Sequence, residues 1–546
     1  MPAEKITWMV DRSCEELFTP ALLSDIVERK IVAEEEIKRE LAGRCVSRLR
    51  LKPKNLPEIY LKEFAIPVSR LFRACFSPPG LNEWRTAQEL CKKGIQTYAP
   101  IALGIVKRFG IYRKVYFITE AVPDSLTLKE YIETYGPRGK DNRFIDKDLI
   151  DLFSDFVSRI RKVGILHTDF HWGNILIRIP DEGIPCFYLI DLHKVKLKPE
   201  LSNREGLSNL ALLNAALLGR VPSRMQIDFL RMYFKGSGIS RHTFLRTRDA
   251  LKGTAEALLL KKWKKQACRC LNENKYFKKI RLNGLTGFAK KGYHKPLLRI
   301  AANPHGFFFK AEALILKDSR TTSSLLFPAE DIPPGIHLKR YNEKGIWFIL
   351  KNFFRSSRAK RVWHAANSLL AREIPTPEPL MYLEKRTCRV LAKSYVVTRM
   401  IAQAKDLGAF AMTDFTRLTR RQKLSAIRIL AGQIRKMHDR GVRHGDLKAK
   451  NILVQQEAGK ALQIFFVDLD AAEIHDRLSP HDRCRDVARL NCSFLDTVVL
   501  SRTCRLYFLK AYLGKVKKAH LKNTWQTVRR FTEKKMGQSG RRFSNE

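Results

Sequence analysis

Apolar and polar residues alternate in IYLKEF (59–64) and in WFILKNFF (347–354), and both segments carry aromatics, as strands do. The period then lengthens. Leu149, Leu152, Phe153, Phe156, Val157 and Ile160 fall on one face of a helix that Gly164 stops. Leu424, Ile427, Ala431, Ile434 and Met437 repeat that spacing, and Gly441 stops them. The segments around Trp84 and Trp363 also read as helices, ending near Gly94 and Pro375. After each long helix come a polar loop and a short apolar strand ending in Asp191 or Asp468. The chain thus runs twice through strand with lysine, helix, linker strand, helix, polar loop and short strand with aspartate. That order predicts an α+β fold of two tandem, protein-kinase-like, two-lobed domains.

The residues repeat as well as the pattern. HTDFHWGNILI (167–177) matches HGDLKAKNILV (444–454), and YLIDLHK (188–194) matches FFVDLDA (465–471), both at an offset of 277 positions. Upstream, NEWRTAQELCKKGIQTYAP (82–100) matches RVWHAANSLLAREIPTPEP (361–379), and FITEAV (117–122) matches VVTRMI (396–401), both at 279. Near-constant spacing over four segments means a duplicated unit. The expected domains are 1–260 and 301–546, with a basic linker or lead-in at 261–300.

Phosphoryl transfer needs positioning and charge neutralisation more than covalent chemistry. A lysine on the phosphates, a carboxylate near the acceptor hydroxyl, and an Asn and an Asp as oxygen ligands for magnesium are enough. In the first unit Asp169 is the candidate catalytic base. Asn174 follows five residues later, as in the kinase loop HxDxxxxN, and Asp191 stands where the metal-binding aspartate would. Lys62 is the strand lysine and Glu83 its candidate ion-pair partner on the next helix. In the second unit these roles fall to Asp446, Asn451, Asp468 and Lys351, with Val362 where the first unit has Glu83. His167 and His444 are expected to brace their loops without doing chemistry. Neither unit has a GxGxxG phosphate loop; the second offers Ser319, Arg320, Thr321 and Thr322 in its place, and the first has no comparable phrase before Lys62.

The loop HTDFHWGNIL, the phrase LKDSRTT (316–322), and WHAANSLLAREIPTPEPL followed by RHGDLKAKNILV resemble the bacterial lipopolysaccharide core kinases of the Kdo/WaaP family. The resemblance covers about Leu316 to Phe494 and, more loosely, Arg48 to Asn209. The first loop is also similar to that of aminoglycoside phosphotransferases. The family resemblance implies ATP with Mg2+, a Kdo or heptose hydroxyl of an anionic glycolipid as acceptor, and work on the cytoplasmic face of a Gram-negative inner membrane. A protein kinase, an aminoglycoside-type phosphotransferase and a scaffold of two inactive kinase folds are the alternatives.

Charge fits an anionic partner. Lys and Arg number 102 against 55 Asp and Glu in 546 residues, a net charge of +47. The segment 261–299 alone holds thirteen cations and one acid, interleaved with Trp263, Tyr276, Phe277, Phe288 and Tyr293, and is the expected contact with an anionic membrane surface. The basic residues are otherwise spread evenly and no nucleic-acid motif occurs, so nucleic acid is not the expected partner. Eleven cysteines without a CxxC pair read as reduced thiols of a cytosolic protein. The opening MPAEKITWMVDRSCEEL lacks a signal-peptide pattern, and the most apolar stretch, Leu207 to Leu218, falls short of a membrane span.

Overall fold

A computed structural model describes residues 6–41, 43–52, 56–66, 79–135, 147–180, 184–342, 356–387, 390–457, 461–495 and 500–543. The chain divides into two compact units, Met1–Leu259 and Leu260–Glu546.

Each unit opens with an antiparallel sheet built from the alternating segments. In unit one the strand order is Ile6–Val10, Pro100–Arg108, Ile111–Glu120, Ile59–Ala65, Arg44–Leu51, Val32–Leu41. In unit two it is Phe277–Leu282, Leu285–Lys290, Pro379–Thr387, Val390–Arg399, Ile336–Tyr341, Thr322–Phe327, Leu314–Asp318. The last five strands of each sheet have the same order and direction, so the duplication extends to topology.

Period-two alternation gives each sheet two buried faces. On the outer face of unit one, Ile59 and Leu61 pack with Leu23 and Ile26 of the helix Pro20–Val27. In unit two Ile336 and Leu338 pack with Leu297 and Ile300 of the helix His294–Ala302. The inner faces meet the helices Leu81–Lys92 and Arg358–Ala371, whose Trp84 and Trp363 are buried, and the helical lobes behind them. Those lobes rest on the long helices Lys147–Lys162 and Arg420–Asp439. Gly164 (φ +81°) and Gly441 (φ +74°) follow these helices, and a Cβ there would lie 1.9 Å from the Lys198 carbonyl oxygen and 2.1 Å from that of His475. Only glycine fits so close a left-handed turn. Apolar cavities recur at matching places too: about 590 Å³ beside Leu128, Tyr131 and Leu213, and about 100 Å³ beside Leu407, Phe410 and Leu490, where Trp525 and Val528 also line the smaller one.

The segment 261–300, expected as a basic linker or a lead-in to the second unit, is folded and falls within the second compact unit. It forms the end of the helix Arg241–Cys268, the hairpin at the edge of the second sheet, and most of the helix His294–Ala302. Trp263 and Phe277 are buried, and Phe288 and Tyr293 pack against cores, which leaves Tyr276 as its exposed aromatic. Its expected membrane contact through interleaved aromatics is therefore reduced to exposed cations such as Lys278, Lys279 and Arg281. The segment WFILKNFF, with Lys351, lies outside the described residues.

Candidate active sites

In unit one the strand Ile59–Ala65 turns Lys62 inward, opposite Phe117 on the neighbouring strand. Lys62 is ion-paired with Glu83 from the first turn of the helix Leu81–Lys92, and both side chains are buried. The Tyr98 hydroxyl donates to Glu83 Oε1 at 2.7 Å. The Lys62 ammonium also lies 5.0 Å from the centre of the Tyr98 ring and 5.4 Å from that of Phe117, where ring faces favour a cation.

The loop after the strand Ile165–His167 holds Asp169. Asn174 Nδ2 donates to the Asp169 carbonyl at 3.0 Å, and the Ile190 N–H donates to the Asn174 carbonyl at 3.0 Å. These bonds join the three predicted residues into one structure, because Asp191 follows Ile190. Asp191 has φ 62° and ψ 48°, and Asp468 has φ 59° and ψ 59°. A non-glycine residue in the left-handed region is uncommon, and here it recurs at both candidate metal aspartates.

Electrostatics keep these carboxylates ionised. Burial works against the charge of Asp191, but the His193 Nδ1 contact at 2.6 Å, Lys62 and Arg44 outweigh it and hold the carboxyl far below its ordinary range. Burial likewise opposes the charge of Asp169, and a hydrogen bond from Lys194 with His171 at 3.7 Å overcomes it. His167 is wholly buried, and desolvation lowers it to about 4. A neutral imidazole whose Nδ1 accepts the Asp169 N–H at 3.2 Å is a loop brace.

Unit two repeats the loop with other partners. Asn451 Nδ2 donates to the Asp446 carbonyl at 2.9 Å, and the Val467 N–H donates to the Asn451 carbonyl at 3.0 Å. Asp446 is met by Arg489 at 2.8 Å and Lys448 at 3.0 Å, and these cations lower its pKa against the effect of burial. His444 is wholly buried and, through desolvation, kept neutral; its Nε2 lies 3.0 Å from the Val467 carbonyl. The inward lysine of the matching strand is Lys339, which reaches Asp468 Oδ1 at 2.6 Å and Asp470 Oδ2 at 2.8 Å. Lys339 stands 277 positions after Lys62, in IHLKRY against IYLKEF, so the offset itself marks it.

The tip between the strands Leu314–Asp318 and Thr322–Phe327 holds Ser319, Arg320 and Thr321. Ser319 closes the turn through its Oγ to the Thr322 carbonyl at 2.9 Å, Arg320 is exposed, and Thr322 is buried opposite Tyr341. In unit one the same hairpin position carries Gly43 (φ +78°), where a Cβ would meet the Ala65 carbonyl oxygen at 2.9 Å. A glycine turn thus fills the place where the sequence showed no phosphate-loop phrase.

A model of the lipopolysaccharide kinase (Kdo/WaaP) family matches residues 28–233 and again 335–512. The chain belongs to the lipopolysaccharide kinase (Kdo/WaaP) family. It is similar to a 3-deoxy-D-manno-octulosonic acid kinase of Haemophilus influenzae, 30% identical over 141 residues, which is 24% of this chain and 55% of the relative. It is also similar to the lipopolysaccharide core heptose(I) kinase WaaP of Escherichia coli, 25% identical over 126 residues, 22% of this chain and 47% of the relative. The chain spans about half the length of the curated relatives it matches. Among solved structures, WaaP in complex with acyl carrier protein aligns over 46% of this chain and 97% of its own, with 19% identity and a TM-score of 0.35. A Mycobacterium tuberculosis PknI kinase domain aligns over 40% and 96%, with 13% identity and a TM-score of 0.23.

The family's two loops are also anchored from behind by residues that sequence reasoning missed. The buried Asp486 accepts the N–H groups of His444 and Gly445 at 2.7 and 3.1 Å, and His438 Nε2 lies 3.3 Å from it. In unit one Asn209 accepts the His167 N–H at 3.2 Å and donates to the Ile165 carbonyl at 2.8 Å. Asn209 and Asp486 stand 277 positions apart, the signal that could have found them.

Proposed function

We propose that each unit transfers the γ-phosphoryl group of ATP to a hydroxyl of a Kdo or heptose residue in a lipopolysaccharide core. The observation that carries this reading is the same constellation twice: an inward strand lysine, an ionised loop aspartate, and an Asn joined to a left-handed Asp. Asp169 and Asp446 would accept the hydroxyl proton. Lys62 and Lys339 would contact phosphate, with the hairpins at Gly43 and Ser319–Thr322 above it. For magnesium the donors fit by chemistry: one carboxylate and one amide oxygen per unit, Asp191 with Asn174 and Asp468 with Asn451, an oxygen-only set of the kind that ion takes alongside phosphate oxygens. Bound there, the ion would neutralise charge on the phosphates. Among the described residues no cluster of three or more His, Cys, Asp or Glu offers a protein-only cage for another metal.

The acceptor is an anionic glycolipid, so the enzyme would work against the cytoplasmic face of a Gram-negative inner membrane. No helix among the described residues is long and apolar enough to cross a membrane. Attachment would be peripheral, through the basic surface and the exposed Phe309, Leu314, Ile315 and Leu316, which lie among Lys310, Lys317 and Arg320. Cations near an anionic leaflet contribute about 1 kcal/mol each.

Incubation with γ-labelled ATP, magnesium and purified core glycolipid tests the reading. The expected result is a gain of one or two phosphates by mass. Label on generic protein or on aminoglycoside, with none on the glycolipid, would replace it with one of those activities. No ATP turnover at all would make the chain a scaffold.

A further inference from the structure

The two units hold their inward lysines by different means. In unit one the anchor comes from the helix, as Glu83 on Lys62, while Asp191 is held separately by His193. In unit two the glutamate's place is taken by Val362, which is buried and apolar. Lys339 instead reaches Asp470, two residues beyond the candidate metal aspartate, at 2.8 Å. Asp470 occupies the position of His193, 277 residues on. It is itself fixed on three sides: by Lys339, by the Tyr341 hydroxyl on Oδ1 at 2.9 Å, and by Arg358 on Oδ2 at 3.0 Å. Arg358 opens the helix Arg358–Ala371. The helix therefore contributes a cation that steadies the anchor, where in unit one it contributes the anchor itself.

We propose that Asp470 is the positioning residue for the phosphate-binding lysine of unit two, the counterpart of Glu83 supplied from the loop after Asp468. The inference rests on unit two being a phosphotransferase. Lys339 also touches Asp468 Oδ1 at 2.6 Å, the carboxylate a metal-bound nucleotide would need. Once that carboxylate is engaged, Asp470 alone among these acids keeps the ammonium in the cleft. Loss of Asp470 would thus appear in nucleotide binding and in the rate together, since a misplaced reacting group costs on the order of 10²-fold.

The experiment uses the full chain carrying D169N, so that transfer reports on unit two. Three changes are compared on that background: D470N, which keeps the shape; D470H, which installs unit one's residue; and V362E with D470H, which rebuilds unit one's arrangement. The readouts are kcat and KM for ATP with core glycolipid, and calorimetric affinity for magnesium ATP with D191N added, so that binding too reports on unit two. D470N and D470H are expected to weaken nucleotide affinity at least tenfold and kcat/KM about 10²-fold, and V362E is expected to recover at least tenfold of the D470H loss. Affinity and kcat/KM within twofold of the parent in both single variants would overturn the proposal. If D470N lowers the melting temperature below that of the assay, V362E with D470H decides: transfer supports the proposal, and a folded chain without transfer overturns it. Absence of transfer in the D169N parent would instead refute the reading of unit two.

Discussion

Replacing Glu83 with Gln should destabilise unit one far more than removing the whole ion pair. Glu83 is 1% exposed and Lys62 8%, so neither charge can turn to water when its partner goes. E83Q leaves the Lys62 ammonium facing an amide, the Tyr98 hydroxyl and two ring faces. Breaking one side of a buried pair costs about 3–5 kcal/mol, because the remaining charge is uncompensated. Replacing both members with apolar residues of similar volume, as in K62M with E83L, is expected to be neutral within ~1 kcal/mol or stabilising, because the desolvation of both charges disappears with them. Activity should behave oppositely, since both variants lack the phosphate lysine or its anchor and unit one should transfer poorly in each. Urea denaturation followed by tryptophan fluorescence, where Trp84 and Trp172 are buried in unit one, measures the first effect. Single-unit transfer in a D446N chain measures the second. A cost below about 1 kcal/mol for E83Q, or a double variant no more stable than the single one, would refute the reasoning that this pair is held for function at the expense of stability.

D169N and D446N should each lower transfer by their own unit ~10²–10⁴-fold, the usual worth of a positioned base, and near-normal turnover by the double variant would remove both from the mechanism. K339M should abolish transfer by unit two in a D169N chain; if K351M did so instead, the assignment by register would be wrong. His167 is lowered from 6.5 to about 4, so between those values the unfolded chain binds a proton that the folded one refuses. Stability of unit one should then fall as pH drops from about 6.5 towards 4, by roughly 2–4 kcal/mol in all, and H167Q should flatten that slope in urea titrations. Asp191 and Asp169 are depressed, so the stability they contribute is lost below about 4, a separate window.

Sequence and structure agree where the physics is local. Helical spacing located the long helices, glycine stopped them, and the HxDxxxxN spacing located the loops, because backbone geometry fixes all three. The strand lysine of unit two illustrates the opposite case. WFILKNFF is richer in aromatics than IHLKRY and was the better strand by composition. IHLKRY is the segment that stands 277 positions after IYLKEF, on the strand that follows the hairpin at Ser319–Thr321 and pairs with Val390–Arg399, while Lys351 lies outside the described residues. Ion-pair partners were the least legible. Lys194, Arg489 and Asp470 come from elements whose approach depends on tertiary packing, and no periodicity in the chain points one of them at its carboxylate or ammonium.

That illegibility follows from how duplicated charge networks diverge. A half-buried aspartate has to be paired, because an isolated buried charge is costly, but the energy does not specify which element sends the cation. Asp169 takes Lys194, from the turn after Asp191; the matching position in unit two is Ala471. Asp446 takes Arg489, from the helix Pro480–Cys492; the matching position in unit one is Leu212. The lysine anchor moved in the same way, from Glu83 to Asp470. The fixed members are the candidate lysine, base, Asn and Asp of each unit, and the members that change are their counter-ions. The surroundings of the two candidate bases consequently differ: His171 and Lys194 beside Asp169, Lys448 and Arg489 beside Asp446. Divergence between the units therefore falls on the counter-ions, those of the strand lysine and of the loop aspartate alike, while Asp169 and Asp446, Asn174 and Asn451, and Asp191 and Asp468 keep their places in the two loops.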